Sequence, residues 1–311
     1  MKIRIGTRGS QLALWQAFYI ENLLKAAGMA TEIVTIETKG DKILDVSLSK
    51  IGSKGVFTEE LEDQLRSGDI DIAVHSAKDL QSDLHEDFEI LAFTERELVN
   101  DVVVSLNPDF SLADQSQTLV VGTSSTRRIA LMQRNYPHVQ LVEMRGNLQT
   151  RLKKLADGHC QALLLAYAGV HRMNYHQYIV QHLPLDSFTP AVGQGSVAVE
   201  VARSLSADKK AIIRQACNHV STEICLLAER AFLNTMQGGC SVPVFGLAQW
   251  NGTQLQLKGG VVSLDGKQLI THSLSEEKAE SSTAKNLGKA VAQEILAQGG
   301  GKILEEIRRN R

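Results

Sequence analysis

The stretch Gly68-Asp69-Ile70-Asp71-Ile72-Ala73-Val74-His75-Ser76-Ala77-Lys78-Asp79 decides how the chain is read. Ile70, Ile72 and Val74 alternate with Asp71, Ala73 and His75, the period of two of a strand with one apolar face. The strand runs straight into a polar tip, Ser76-Ala77-Lys78-Asp79, with no turn residue between them. In an open α/β sheet, ligands gather outside the carboxyl ends of the strands, so chemistry is expected at this tip. A carboxylate there can move a proton or stabilise a cation formed in a reaction. A solvated loop pair, Lys78 beside Asp79, is the alternative.

Outward from that strand the pattern repeats. Lys2 to Gly6 reads as a strand, Thr7-Arg8-Gly9-Ser10 as its tip, and Leu12 to Ala27 as an amphipathic helix closed by Gly28. Ser10 or Thr7 can cap that helix, which brings backbone N–H groups and Arg8 to one anion-favouring junction. Thr31 to Thr38 is a second strand. Lys39 to Gly55, rich in Lys, Gly and Ser, is expected to be a loop over a site, although it lacks phosphate-loop spacing. Phe57 to Arg66 is a helix ending at Gly68. Strand, helix, strand, helix, strand makes this an α/β unit.

A second unit follows the same logic. Glu89–Phe93 and Asp101–Ser105 are strands joined by Thr94-Glu95-Arg96-Glu97, with a domain boundary near residues 95–105. Strands at 119–121, 139–144 and 162–166 alternate with helices at 129–135 and 148–156. Arg127, Arg128, Arg145 and Arg151 all fall at strand-to-helix junctions or in a first helical turn. The helix macrodipole disfavours cations there unless an anion joins them, so the set points to a multi-carboxylate or phosphate ligand. Surface salt bridges, for instance with Glu143, are the plainer explanation.

Thr189 to Gly195 is a Gly-punctuated connector leading to a strand at Val197–Val201. If that strand joins the first sheet, two crossings make a hinge with a cleft between lobes. Helices at 211–218 and 222–236, three alternating strands with Asn251-Gly252 and Asp265-Gly266 hairpin turns, and helices at 282–297 and 303–309 describe a small α+β C-terminal domain. The expected division is residues 1–98 with 195–217, then 99–194, then 218–311.

Of four cysteines, Cys160, Cys217 and Cys225 read as small apolar residues, whereas Cys240 follows two glycines on a tight loop. A thiol presented that way can be a nucleophile, a redox site or a covalent attachment point. The nine histidines show no metal spacing, and His75 reads as a structural histidine. A net charge of −2 over 311 residues gives no global basic surface for nucleic acid. No run of about 18 apolar residues suggests a membrane span, and no signal-peptide core follows Met1. Scattered cysteines and the plain N-terminus point to the cytoplasm.

Together several motifs resemble the porphobilinogen deaminase (hydroxymethylbilane synthase) family. They are Gly6-Thr7-Arg8-Gly9-Ser10, Lys39-Gly40-Asp41, Lys50 to Phe57, His75-Ser76-Ala77-Lys78-Asp79, Gly122 to Arg128, Arg145-Gly146-Asn147 with Thr150-Arg151-Leu152, Ala191 to Gly195, and Glu229-Arg230 with Gly238-Gly239-Cys240. They run in order over nearly the whole chain. The resemblance implies two lobes like those of periplasmic binding proteins plus a third domain. It implies a dipyrromethane cofactor in thioether linkage to Cys240, and the joining of four porphobilinogen units with loss of ammonia. By position Asp79 looks like the catalytic carboxylate. Arg8, Ser10, Lys78, Ser125, Arg127, Arg128, Arg145, Arg151, Arg172 and Gln194 look like binders of cofactor and substrate carboxylates, and Lys50, Lys54 and Phe57 fall in the family's active-site loop. The resemblance further implies a monomer, no metal, and a product passed to uroporphyrinogen-III synthase. Leu80-Gln81, Gly195-Ser196 and His171 depart from the usual pattern without removing a charged or nucleophilic residue.

Two rivals fit less. A non-catalytic two-lobed anion binder explains the arginines but not Cys240. A cysteine-dependent transferase of another substrate explains Cys240 but not Asp79 amid so many arginines.

Overall fold

The computed structural model describes residues 1–38, 58–239, 242–277 and 280–309. Lys50, Lys54, Phe57 and Cys240 lie outside the described residues, as does the whole Lys39–Gly55 stretch read as a loop over a site.

The chain opens with β1 (Lys2–Arg8), α1 (Gln11–Ala26) and β2 (Ala30–Ile36). Ser10, not Thr7, caps α1: its hydroxyl accepts from Ala13 N at 3.3 Å. Gly28 follows the C-cap Ala27 with φ +80°, a left-handed turn that a side chain would strain. Ala13, Gln16, Ala17, Ile20 and Leu24 form the buried face of α1 at helical spacing. Next come α2 (Glu59–Ser67), β3 (Ile72–Ser76) and β4 (Phe88–Phe93).

β5 (Asp101–Val104), β6 (Val120–Gly122), α3 (Thr126–Asn135), β7 (Gln140–Val142), α4 (Leu148–Ala156), β8 (Ala162–Ala166), α5 (Tyr167–Arg172) and β9 (Ile179–His182) build a second sheet with its helices. β10 (Val197–Ala202) then returns to the first sheet, and α6 (Ala207–Cys217) covers it. The C-terminal unit is α7 (Val220–Thr235), the antiparallel meander β11 (Val244–Trp250), β12 (Gln254–Val262) and β13 (Leu269–Glu277), α8 (Ser281–Ile295) and α9 (Gly301–Arg309).

The two five-stranded sheets share one plan. The first has order β2-β1-β3-β10-β4 and the second β7-β6-β8-β5-β9. In each, three strands run parallel and the fourth is antiparallel to both its neighbours. That fourth strand is the crossing strand in both cases: β10 comes back from the second lobe, and β5 arrives from the first. The expected return of 197–201 to the first sheet is therefore present. Glu89–Phe93 and Asp101–Ser105, read as successive strands, belong to different sheets.

Several expectations need correction. β3 does not have one apolar and one solvated face: residues Asp71 to His75 are all buried. The reason is its central place in a five-stranded mixed sheet, between parallel β1 and antiparallel β10, with α1 packed on one face and α2 on the other. Asp71 accordingly takes Arg4 and Lys209 as partners, with Lys209 Nζ at 2.7 Å. The helix after β6 starts at Thr126 rather than Ile129, because Ser125 caps it by accepting from Arg128 N. The short α5 and the edge strand β9 have too few residues for a periodic signal and went unread.

The C-terminal unit is not independent of the second lobe. Phe245 and Val262 share one apolar cluster with Val103, Val121, Leu164 and Phe188. Burying one such phenylalanine or valine is worth about 1.5–3 kcal/mol, so this contact fixes the unit firmly.

Candidate active site

The two lobes face each other across a cleft of ≈ 670 Å³, within the range of about 300–1,000 Å³ usual for small-molecule sites. One wall carries the 3₁₀ turn Ala77–Asp79 that ends β3. Ala77 and Leu80 are buried with Phe93, Ala198 and Leu226, so apolar packing pins both flanks of the turn. Asp79 stands exposed between them and lines the cleft.

Polar contacts brace the same turn. Ala77 N donates to Ser196 O at 3.0 Å, and Gln16 Nε2 donates to Ser76 Oγ at 2.8 Å. Gly193 has φ +77°, and a Cβ there would stand 2.8 Å from Lys78 N and from Ala77 C. Only glycine lets this connector lie against the turn. The connector is held in turn by Glu229 of α7, which is fully buried. Glu229 accepts from Gly193 N at 2.8 Å, from Ala248 N at 2.8 Å, and from both terminal nitrogens of Arg96 at 2.6 and 3.1 Å. The two lobe connectors also pair directly, through Thr94 N to Val197 O at 3.0 Å and Glu97 N to Gly195 O at 3.1 Å.

Among the described residues six cations line the cleft, Arg8, Lys78, Arg128, Arg145, Arg151 and Arg172, against the carboxylates of Glu37 and Asp79. Crowded like charges raise one another's energy, and the titration of two groups records it. Burial brings the Arg151 guanidinium down to about 10, with Arg128 and Arg145 pushing the same way against Asp79. Burial likewise brings Lys78 down to about 8, opposed by Asp79 and Asp101. Arg145 has a buried Nη1 with no hydrogen-bond partner among the described residues, and Glu143 is 3.9 Å from its Nε and exposed. The surface salt bridge offered as the plainer explanation is thus poorly formed here. Arg172 donates from Nη2 to Gly195 O at 2.7 Å and lies over the Trp15 ring, 5.1 Å from its centroid.

Other expected residues sit behind the wall. Arg127 is buried, gives Nη1 to Asp101 Oδ2 at 2.7 Å and to Thr189 O at 2.9 Å, and does not line the cleft. Ser125 is spent on capping α3. Arg128 reaches the cleft, yet its Nε and Nη2 hold Asp101 Oδ1 at 3.1 and 2.8 Å, and its Nη1 holds Leu164 O at 3.0 Å. Gln194 also lines the cleft while its Nε2 donates to Val99 O at 2.7 Å and Asp101 Oδ1 at 3.0 Å. Ser10 lines the cleft beside Arg8.

Asp101, which no sequence signal had singled out, is the hub of this second layer. Burial alone would push its carboxyl up; Arg127 and Arg128 overcome that and hold it well below the usual carboxylate range. For Arg128 the balance differs, since burial pushes the guanidinium down more than Asp101 lifts it. It remains a cation all the same, because arginine starts so high. An aspartate opening the otherwise apolar strand Asp101-Val102-Val103-Val104 was the available clue, since a buried carboxylate requires a partner.

Comparison with known proteins bears on the same residues. The family described as "Porphobilinogen deaminase, dipyromethane cofactor binding domain" matches residues 3–211, and "Porphobilinogen deaminase, C-terminal domain" matches residues 223–297. The chain belongs to the porphobilinogen deaminase family. A porphobilinogen deaminase of Desulfosudis oleivorans is 51% identical over 309 residues, covering 99% of each chain. That of Cytophaga hutchinsonii is 53% identical over 307 residues, covering 99% of this chain and 97% of its own. Among solved structures, the methionine binding protein MetQ aligns with a TM-score of 0.44 at 12% identity, over 69% of this chain and 89% of its own. The Bordetella pertussis BvgS periplasmic VFT2 domain aligns with a TM-score of 0.41 at 19% identity, over 69% and 86%.

The cleft suits the cofactor that the family description names. A dipyrromethane bearing several carboxylates needs several cations in one concave site, and the unsatisfied Nη1 of Arg145 together with the mutually crowded Arg151 and Arg128 are such cations. Gly238 and Gly239 are described, but Cys240 itself is not. Cys160, Cys217 and Cys225 are free and buried, and burial pushes the last two up to about 12, which suits them to packing and not to nucleophilic attachment.

Proposed function

We propose that this chain is a hydroxymethylbilane synthase, a transferase that joins four porphobilinogen molecules with release of ammonia and frees a linear hydroxymethylbilane. The observation that carries the reading is the exposed carboxylate of Asp79, fixed on a turn that the interlobe connector braces, among six cleft cations of the described residues. Family membership over the whole chain supports it.

Each residue then has a task. Arg8, Ser10, Lys78, Arg128, Arg145, Arg151 and Arg172 bind acetate and propionate carboxylates, with bidentate arginine forks setting ring orientation. Asp79 stabilises the positive charge that develops on porphobilinogen as ammonia leaves, and takes up or returns a proton. Arg127, Gln194 and Ser125 act from behind, holding Asp101, Arg128 and the start of α3. Cys240 carries the dipyrromethane in thioether linkage, and that group, once bound, supplies the nucleophilic pyrrole carbon as a primer. Lys50, Lys54 and Phe57 are assigned by their match to the family's active-site loop motif to a role in handling substrate.

The domains are taken as 1–98 with 195–217, 99–194 and 218–311, in keeping with which strands share a sheet. A cytoplasmic monomer that hands its product to uroporphyrinogen-III synthase completes the proposal. The free buried thiols accord with a reducing compartment, and no helix among the described residues is long and apolar enough to cross a membrane.

The test is porphobilinogen turnover and intact mass of the full chain. Wild type consumes porphobilinogen and weighs one dipyrrole more than its sequence. Asp79→Asn keeps that added mass and loses about 10²–10⁴-fold in kcat. Undiminished turnover in Asp79→Asn removes Asp79 from the catalytic role, and an unmodified Cys240 in active enzyme ends the attachment claim.

A further inference from the structure

Directly behind the Ala77–Asp79 turn lies a group of buried charges that the binding of carboxylates does not use. Glu200, in the middle of β10, is fully buried. Neither of its carboxylate oxygens receives a geometrically sound hydrogen bond among the described residues. β10 pairs antiparallel with β3, Ala73 opposite Glu200 and His75 opposite Ala198, so Glu200 and His75 share one face of the sheet. His75 Nε2 is 3.0 Å from Glu200 Oε2. The two are close but out of line, so the attraction is Coulombic more than a directed hydrogen bond.

Two helices bring further charges within electrostatic range of Glu200, without direct contact to it among the described residues. Arg230 of α7 is brought down to about 10 by burial, with Glu200 its leading counter-charge and Asp83 the next. Its Nη2 donates to Gln81 O at 2.8 Å, two residues past Asp79. Asn234, one turn further along α7, donates to Ser82 O at 3.4 Å. Glu62 of α2 is pushed up by burial; Thr58 and His75 oppose that, while Glu200 adds to it. Gln81 closes the ring by donating from Nε2 to Thr58 Oγ1 at 3.3 Å.

A carboxylate without hydrogen-bond donors on a central strand costs stability, and apolar replacement of buried ion groups is often neutral or stabilising. Stability alone therefore does not account for Glu200. We propose that Glu200 is a positioning residue whose buried charge draws His75, ahead of the Ala77–Asp79 turn, and Arg230, behind it, onto one centre, fixing where Asp79 stands in the cleft. The two attachments come from different parts of the chain, β3 of the first lobe and α7 of the C-terminal unit. Glu200 thereby ties the unit that carries Cys240 to the turn that carries Asp79. This rests on Asp79 being the catalytic carboxylate.

The test uses the full chain with its cofactor attached, as verified by intact mass. Glu200→Gln, Arg230→Met and the double variant are compared in kcat, KM for porphobilinogen and Tm. Glu200→Gln is expected to lose about 10–100-fold in kcat, the scale of an ångström misplacement, with KM unchanged and the protein folded at the assay temperature. The double variant loses no more kcat than the worse single, because both break one linkage. Glu200→Asp recovers part of the loss. Should Glu200→Gln not fold, His75→Gln serves, with the same split of lowered kcat at constant KM. An unaltered kcat, a loss that only tracks the folded fraction, or additive losses in the double variant overturns the proposal. A wild type that does not consume porphobilinogen brings down the functional reading and this inference together; an active wild type with a fully active Glu200→Gln brings down the inference alone.

Discussion

Replacing Asp101 by asparagine removes one negative charge from beneath the cleft while keeping the shape of the side chain. Asp101 is fully buried and takes four contacts of 2.7–3.1 Å, from Arg127 Nη1, Arg128 Nε and Nη2, and Gln194 Nε2. The amide can still accept one hydrogen bond at Oδ1, but its NH₂ now faces Arg127, and two buried guanidiniums lose their counter-charge. Breaking a buried ion pair from one side costs about 3–5 kcal/mol. At roughly 2–4 °C per kcal/mol, Asp101→Asn lowers Tm by about 6–20 °C. KM for porphobilinogen rises as well, because Arg128 is turned toward the cleft only while Asp101 grips its inner edge. Since the folded-state carboxyl is depressed, its contribution is complete above the ordinary carboxylate range and fades as pH falls through the folded value. The stability gap between wild type and Asp101→Asn is therefore constant from pH 5 upward, in the neutral range where all assays run, and narrows only below about pH 4. Denaturant unfolding at several pH values, with KM measured alongside, reads both effects. A gap under about 1 kcal/mol with unchanged KM would refute the account, because it would mean the arginines do not depend on Asp101.

Two more outcomes are expected. Lys78, brought down to about 8, loses its charge as pH rises through that value, so KM for porphobilinogen should climb between pH 7 and 9; Lys78→Arg, cationic throughout, should flatten the climb, and a parallel rise in that variant contradicts it. Arg145→Leu should raise KM by about 10-fold or more, the worth of a charge-assisted hydrogen bond, while leaving Tm nearly unchanged because Glu143 is distant and exposed; unaltered kinetics return Arg145 to the surface.

What could be read in advance follows the range of the interactions. The tip of β3 was legible because period-two apolarity and the abrupt polar ending are local; the cap of α1 was narrowed to Thr7 or Ser10, and the structure has Ser10. Leu148–Ala156 and Ala162–Ala166 were read at their actual bounds, each bracketed by polar or glycine residues. The division of the arginines was not legible. Whether Arg127 or Arg128 faces the cleft depends on Asp101, which precedes them by more than twenty residues and has no local mark beyond an acidic start to an apolar strand. Glu200 and His75 lie 125 positions apart and meet only because β10 crosses back beside β3. The short β9 is held by pairing with β5, a tertiary cause with no periodic trace in Ile179–His182.

The return of β10 to the first sheet has a consequence for how the chain is made. Until residues 197–202 have been synthesised, β3 and β4 cannot both be paired, and the sheet of the first lobe stays split between them. The missing strand arrives only after the entire second lobe, itself started by β5. The first lobe is thus not a self-sufficient folding unit, whereas the second sheet draws all five strands from Asp101 to His182. A nascent fragment ending near residue 98 exposes two strand edges rich in Ile, Val and Phe, the kind of surface that pairs with another chain. Closure of the first sheet spans more than a hundred residues, so its formation is slow and late. The crossing that lets two lobes share a cleft also makes the first wait on the second to be finished.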